Sequence, residues 1–169
     1  MSRLSTLGFA AALACFATST MAAQPVIGLI TKTETNPFFV KMKEGAEAEA
    51  KKLGAKLLSA AGKQDGDTAG QITAMENMVA AGAKTILITS SGDAIVPTIK
   101  KIKAQGVQVI ALDSPVPEAD ALFATNNYKA GELIGAYAKA AMAGKPVKIA
   151  TLDLFPGHPV GAQRHNGFL

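Results

Sequence analysis

Phe38 and Phe39 are adjacent in a chain whose aromatics make up only 5% of the residues and which has no Trp. A single helical stripe buries one of two neighbouring side chains, so Phe39 suits a core and Phe38 is left facing outward. There a flat ring can stack on the apolar C–H face of a sugar; alternatively, both rings pack on neighbouring helices. Asp113 directly follows the apolar run Val109, Ile110, Ala111 and Leu112, a poor place for a carboxylate that serves only solubility. Such a group accepts from two adjacent hydroxyls at once through strong charge-assisted bonds, or it caps a helix or holds a loop N–H.

Bond-making chemistry is poorly served by the same sequence. The turn Thr31-Lys32-Thr33-Glu34-Thr35 has no glycine, where dinucleotide and Walker phosphate loops need several. His158 and His165 lack the spacing of a helical zinc pair and read as loop or surface residues. Ser91 precedes Gly92 but follows Ser90, so it does not sit between two glycines as an elbow nucleophile does. A hydrolase with paired carboxylates would have to use Asp113 and Asp153, which end strands in different halves of the chain. The reading is of a binding protein with no catalytic residue, no cofactor and no metal site.

Composition narrows the class. The chain has 169 residues, 49% apolar and 18% charged, which is globular rather than disordered. Its net charge of +4 comes from 17 Lys and Arg against 13 Asp and Glu, with the cations scattered singly or in pairs, so nucleic acid is not indicated. One cysteine, Cys15, excludes an intrachain disulfide framework and any multi-cysteine metal site. Residues 1–22 read as a secretory signal, with Arg3 as the only charge and an apolar stretch from Leu7 to Ala17. That stretch falls short of the roughly 20 residues of a membrane span. Cleavage after Ala22 removes Cys15 and leaves an exported chain without cysteine, which points to a bacterial periplasm.

From Gln24 onward, short apolar runs alternate with longer amphipathic stretches, the pattern of βαβ units around a parallel sheet. Strands are predicted at Val26–Thr31, Ala55–Ala60, Thr85–Thr89, Val107–Leu112, Leu122–Thr125 and Val147–Leu154. Asn36 caps a helix with Pro37 at its first position, Phe39, Met42, Ala46, Ala50 and Leu53 form its buried stripe, and Gly54 ends it. A second helix follows Asp67 and carries Ile72, Met75 and Val79 inward. A third starts near Asp93 and buries Ile95, Ile99 and Ile102, with Pro97 in its first turn. A fourth spans Lys129 to Ala143, and Gly161 to Leu169 opens a fifth. The fold is thus a doubly wound α/β parallel sheet, a complete lobe over residues 23–127 followed by a truncated second lobe over 128–169. In such sheets ligands bind beyond the carboxyl ends of the strands. That rule selects Thr31, Asn36, Phe38 and Phe39, then Ser90 and Ser91, Asp113 and Ser114, Asn126 and Asn127, and Asp153.

These residues together resemble the type I periplasmic sugar-binding proteins of ABC importers, related to ribose-binding protein and to the ligand domains of LacI-type repressors. Asn36-Pro37-Phe38-Phe39 is similar to the family's first-helix motif, Ala111-Leu112-Asp113 to its fourth-strand ending, and Arg164-His165-Asn166-Gly167-Phe168 to its Arg-x-x-Gly-Phe helix. Leu29 to Thr33, Leu122 to Thr125 and Thr151 to Leu154 resemble the fructose-type subgroup. The resemblance implies that Asn36, Phe38, Phe39 and Asp113 form the first lobe's share of a monosaccharide or polyol pocket. Arg164 would reach in from the second lobe with its planar donor fork. Ser114 and Asn126 depart from the pattern: ribose binders have Arg after the Asp, and many members have Asp in place of Asn126. That counts against ribose and leaves room for a hexose or a polyol, of which the subgroup resemblance favours a fructose-like hexose. The implied protein is a monomeric periplasmic subunit that closes on its sugar about crossings such as Asn126 to Lys129 and presents the closed state to a membrane permease. A LacI-type regulator is the alternative with the same fold, but a secretory signal stands where a DNA-binding headpiece would. With half a pocket, the 169-residue chain itself is expected to bind sugar weakly.

Overall fold

The computed structural model describes residues 23–142, 145–146 and 148–169. The secretory signal predicted over residues 1–22, with Cys15, lies outside them. Five strands form one parallel sheet in the order β2-β1-β3-β4-β5: β1 is Val26–Thr31, β2 Lys56–Ala61, β3 Thr85–Ile88, β4 Gln108–Leu112 and β5 Ala121–Phe123. The chain steps one way from β1 to β2 and the other way from β2 to β3. Right-handed crossovers therefore place the helix α1 (Pro37–Leu53) on one face and α2 (Thr68–Ala80) and α3 (Val96–Lys103) together on the other.

Local signals set the ends of these elements. The Asn36 side chain accepts from the Phe38 N–H at 2.9 Å, and Gly54 stops α1 with a left-handed φ of 68°. Between β3 and α3 the chain makes one 3-10 turn at Asp93–Ile95, which leaves Pro97 in the first turn of α3, where its missing N–H costs nothing. The core lies between the sheet and α2 with α3, built from Ile30, Ile86, Ile88 and Val109 against Met75, Met78, Ile95, Ile99 and Ile102.

Three expectations need correction. Leu53 is exposed rather than closing the α1 stripe, which ends at buried Ala50 where α1 lies over β2, the edge of the sheet. In α2 Met75 is fully buried and Ile72 and Val79 pack half-buried against the core, as expected, but Gln71 and Met78 are buried too, so the inward face is wider than the apolar stripe expected. The sixth strand does not form: residues 148–154 are irregular, and Leu152 is wholly exposed. A strand is held by its neighbour's backbone groups, and no strand lies beside this segment among the described residues.

Beyond the sheet, α4 (Asn127–Ala141) and α5 (Pro159–Phe168) pack on each other. Glycines make the approach possible. A Cβ at Gly131 would run into the Arg164 carbonyl oxygen, one at Gly135 would lie 2.6 Å from the Phe168 oxygen, and one at Gly167 would meet the Tyr128 carbonyl. The glycine of the Arg-x-x-Gly-Phe segment is therefore a packing requirement that sets where Arg164 sits.

Candidate ligand-binding site

Because the connection from β1 runs one way and the chain then returns past it to β3, a crevice opens beyond the carboxyl ends of these two strands. Gln71 spans it from α2. Its amide nitrogen donates to the Thr31 carbonyl at 3.2 Å and to the Thr89 carbonyl at 2.8 Å, and its amide oxygen accepts from the Ser91 N–H at 2.9 Å. A fully buried polar side chain is thus satisfied by both loops, and it fixes their separation.

On the β1 side of the crevice, Phe39 is 7% exposed and Phe38 54%, the division expected from one helical stripe. The two rings meet edge to face with centroids 5.2 Å apart, so buried Phe39 holds the exposed ring in position. Asn36 spends its carboxamide oxygen on the cap of α1, which leaves its NH2 group as a donor at the crevice.

On the β4 side, Asp113 takes a left-handed backbone conformation with φ 60°, which Asp tolerates better than most residues. Its N–H is tied to the Phe123 carbonyl at 2.8 Å. Ser114 is fully buried and its hydroxyl lies 3.3 Å from the Asp113 carboxylate. The carboxylate is half-buried and caps no helix among the described residues.

Arg164 projects from α5, and its Nε donates to the Asn127 side-chain oxygen at 2.9 Å. Asn127, itself buried, donates in turn to the Thr125 carbonyl at 3.1 Å. The crossing between sheet and helix pair therefore aims the guanidinium. Asn126 caps α4 by accepting from the Lys129 N–H at 2.9 Å. Arg164 makes no hydrogen bond to Asn36 or Asp113 among the described residues. Asn36 and Phe38 follow the carboxyl end of β1 and Asp113 that of β4, so all three lie at one edge of the parallel sheet, its strand-end rim, while Arg164 is on α5.

Two residues not singled out in the sequence join this rim. Lys32, next after β1, is 2% exposed, and its Nζ lies 2.9 Å from His158 Nε2 and 3.6 Å from Asp65 Oδ1. His158 is a loop residue as expected but not a surface one: it is buried at the N-cap of α5 with Nδ1 3.4 Å from the Gly161 nitrogen, and stands edge-on to Phe155. Burial and the Lys32 ammonium push the imidazole below its ordinary value, against the opposing pull of the Asp65 and Asp113 carboxylates. Lys32, like Asp113, is a charge immediately after an apolar strand. Pro159 at the first helical position marks His158 as a cap. His165, by contrast, stays partly exposed on α5, with Nδ1 2.9 Å from Asp153 Oδ2.

Known proteins of this kind are similar over most of the chain. The ribose import binding protein RbsB of Bacillus subtilis is 33% identical over 145 residues, covering 84% of this chain and 47% of that protein. RbsB of Escherichia coli is 30% identical over 171 residues, covering 99% of this chain and 57% of its own length. The chain thus spans about half the length of these curated relatives. Among solved structures, a periplasmic solute-binding protein from Actinobacillus succinogenes with bound D-allose superposes with a TM-score of 0.76 at 27% identity. It covers 86% of this chain and 54% of that one. A carbohydrate transporter solute-binding protein from Agrobacterium radiobacter in complex with D-arabinose gives a TM-score of 0.76 at 28% identity, covering 87% and 52%. The family model described as the periplasmic binding protein domain matches residues 27–169, and the chain belongs to that family.

Proposed function

We infer that the protein captures a monosaccharide for an ABC importer outside the cytoplasmic membrane, and that it makes or breaks no bond. The observation that carries this reading is the strand-end rim itself. An exposed ring at Phe38, a free amide donor at Asn36 and a half-buried carboxylate at Asp113 are what stacking on and bonding to a polyhydroxylated ring require. The relatives named for ribose import, and the solved neighbours holding D-allose and D-arabinose, support a sugar as the ligand.

Residues 23–127 then form the first lobe and residues 128–169 begin the second, with Asn126 and Asn127 at the crossing. Closure brings Arg164 onto the sugar held at Asp113, and a permease recognises the closed form. Ser114 favours a fructose-like hexose over ribose: its hydroxyl is buried beside Asp113, so the position supplies no donor fork. A thermal-shift titration with D-fructose, D-ribose, D-allose and D-arabinose tests the reading. A sugar at a hundred times its dissociation constant stabilises by about 2.7 kcal/mol. At least one sugar should do so, with D-fructose ahead of D-ribose; no shift with any of them contradicts the reading.

A further inference from the structure

The His158 imidazole is asked for two things that a neutral ring cannot give together. The Gly161 N–H, which can only donate, points at Nδ1 from 3.4 Å. The Lys32 ammonium, which also only donates, stands 2.9 Å from Nε2. A neutral imidazole has one acceptor nitrogen and one N–H, and a protonated ring has no acceptor at all. One of the two contacts must therefore be given up. The bond from the ammonium is the shorter, and charge-assisted bonds are roughly twice as strong as neutral ones, so Lys32 takes the lone pair. Nδ1 then carries the proton, opposes the Gly161 N–H, and leaves α5 poorly capped at the end six residues before Arg164.

We propose that Lys32 is a positioning residue that sets the tautomer of His158, and through it the capping of the helix that carries Arg164. Resting on the sugar-binding reading, the same pair couples ligand to helix. A sugar oxygen that accepts from Lys32 and draws its ammonium off the ring releases Nε2 to hold the proton, facing the Asp65 carboxylate 3.6 Å away. Nδ1 then accepts from Gly161 and α5 becomes capped. The charged groups around the ring are Lys32 from the end of β1, Asp65 from the loop after β2, and Asp113 from the end of β4. Lys32 thus stands where a ligand's arrival at the strand-end rim is passed to the opposing helix.

The tautomer is read directly by long-range imidazole 1H–15N correlation spectra of the 169-residue chain at about pH 8, above the ordinary imidazole range. The wild-type chain should show the proton on Nδ1 of His158, and Lys32→Met should move it to Nε2. A wild-type proton on Nε2, or the same tautomer in both chains, overturns the assignment. Titration with D-fructose and D-ribose supplies the second arm. A bound sugar should move the wild-type proton to Nε2, and Lys32→Met should weaken binding on the order of tenfold or more, the usual loss for a bond to a charged group. A sugar that binds and leaves the tautomer unchanged refutes the coupling. If neither these two sugars nor D-allose or D-arabinose bind, the sugar-binding reading fails and takes the coupling with it, while the tautomers of the two ligand-free chains still decide the role of Lys32.

Discussion

Replacing Gly167 by Ala sets two known effects against each other. Alanine is the better helix former by about 1 kcal/mol, so α5 taken alone should gain. In the folded chain the new Cβ would lie 2.9 Å from the Tyr128 carbonyl carbon and 3.1 Å from the Glu132 nitrogen, and closer still to the Tyr128 oxygen. These are backbone atoms, so no rotamer change relieves the overlap, and α5 has to withdraw from α4 by about 1 Å to restore ordinary contact. Overpacking of this kind costs typically 1–3 kcal/mol, and the upper end applies where backbone meets backbone. The clash wins, with a net local loss of about 1–2 kcal/mol, close to a tenfold change in the open population. The withdrawal also draws Arg164 off Asn127, since their bond is 2.9 Å in the packed pair. Amide hydrogen exchange reads the outcome: α5 amides should exchange roughly tenfold faster in Gly167→Ala, with β1 and β3 amides unchanged. Unchanged or stronger protection of α5 would refute the packing argument.

Other perturbations give separable results. Asp113→Ala should lower stability by about 1–2 kcal/mol, the strain of alanine at a left-handed φ of 60°, and should remove the thermal shift by sugar. Asn127→Ala should cost sugar affinity by about tenfold through loss of the bond that aims Arg164, measured by calorimetry beside Arg164→Ala. Ile99→Ala removes a fully buried core side chain under the sheet and should lower stability by about 2–5 kcal/mol in urea unfolding. Acid should weaken the fold in two stages. His158 titrates below 6.5 when folded, so the unfolded chain binds more protons between that value and 6.5, and stability falls as pH drops through this window. Asp67, held down by the Lys63 and Gly70 N–H groups, and Asp120, held down by Lys103 and the Val109 N–H, add a second loss as pH falls from 3.8 towards their folded values. Urea midpoints across pH should lose the upper stage in His158→Asn and keep the lower one.

What was legible in the sequence is what local chemistry decides. Asn36, Pro37 and Gly54 bound α1 because capping and left-handed φ are properties of those residues alone. Ile95, Ile99 and Ile102 announce their shared face by spacing, and strands β1, β3 and β4 by apolar runs between turns. Features that depend on distant partners were not legible. Nothing local marks Gln71 as buried; its partners, the Thr31 and Thr89 carbonyls, come from two strand ends 40 and 18 positions away. Lys32 and His158 are 126 positions apart, and nothing local pairs them. The apolar stretch before Leu154 has the composition of a strand, but composition supplies no neighbouring ladder. In the site, the split between Phe38 and Phe39 followed from helical geometry. The bracket from Thr125 through Asn127 to Arg164 required the fold.

The central claim is that Asn36, Phe38 and Asp113 meet one polyhydroxylated guest at the carboxyl end of the sheet. It is tested most directly by 1H–15N chemical-shift mapping of the 169-residue chain titrated with D-fructose and D-ribose, with L-leucine as the non-sugar control. Weak, saturable shifts are expected at the Asn36 side-chain amide and at the backbone of Phe38, Asp113 and Ser114, absent with L-leucine and abolished by Asp113→Ala. Sugar-induced shifts that bypass these residues, or that survive Asp113→Ala, would contradict it.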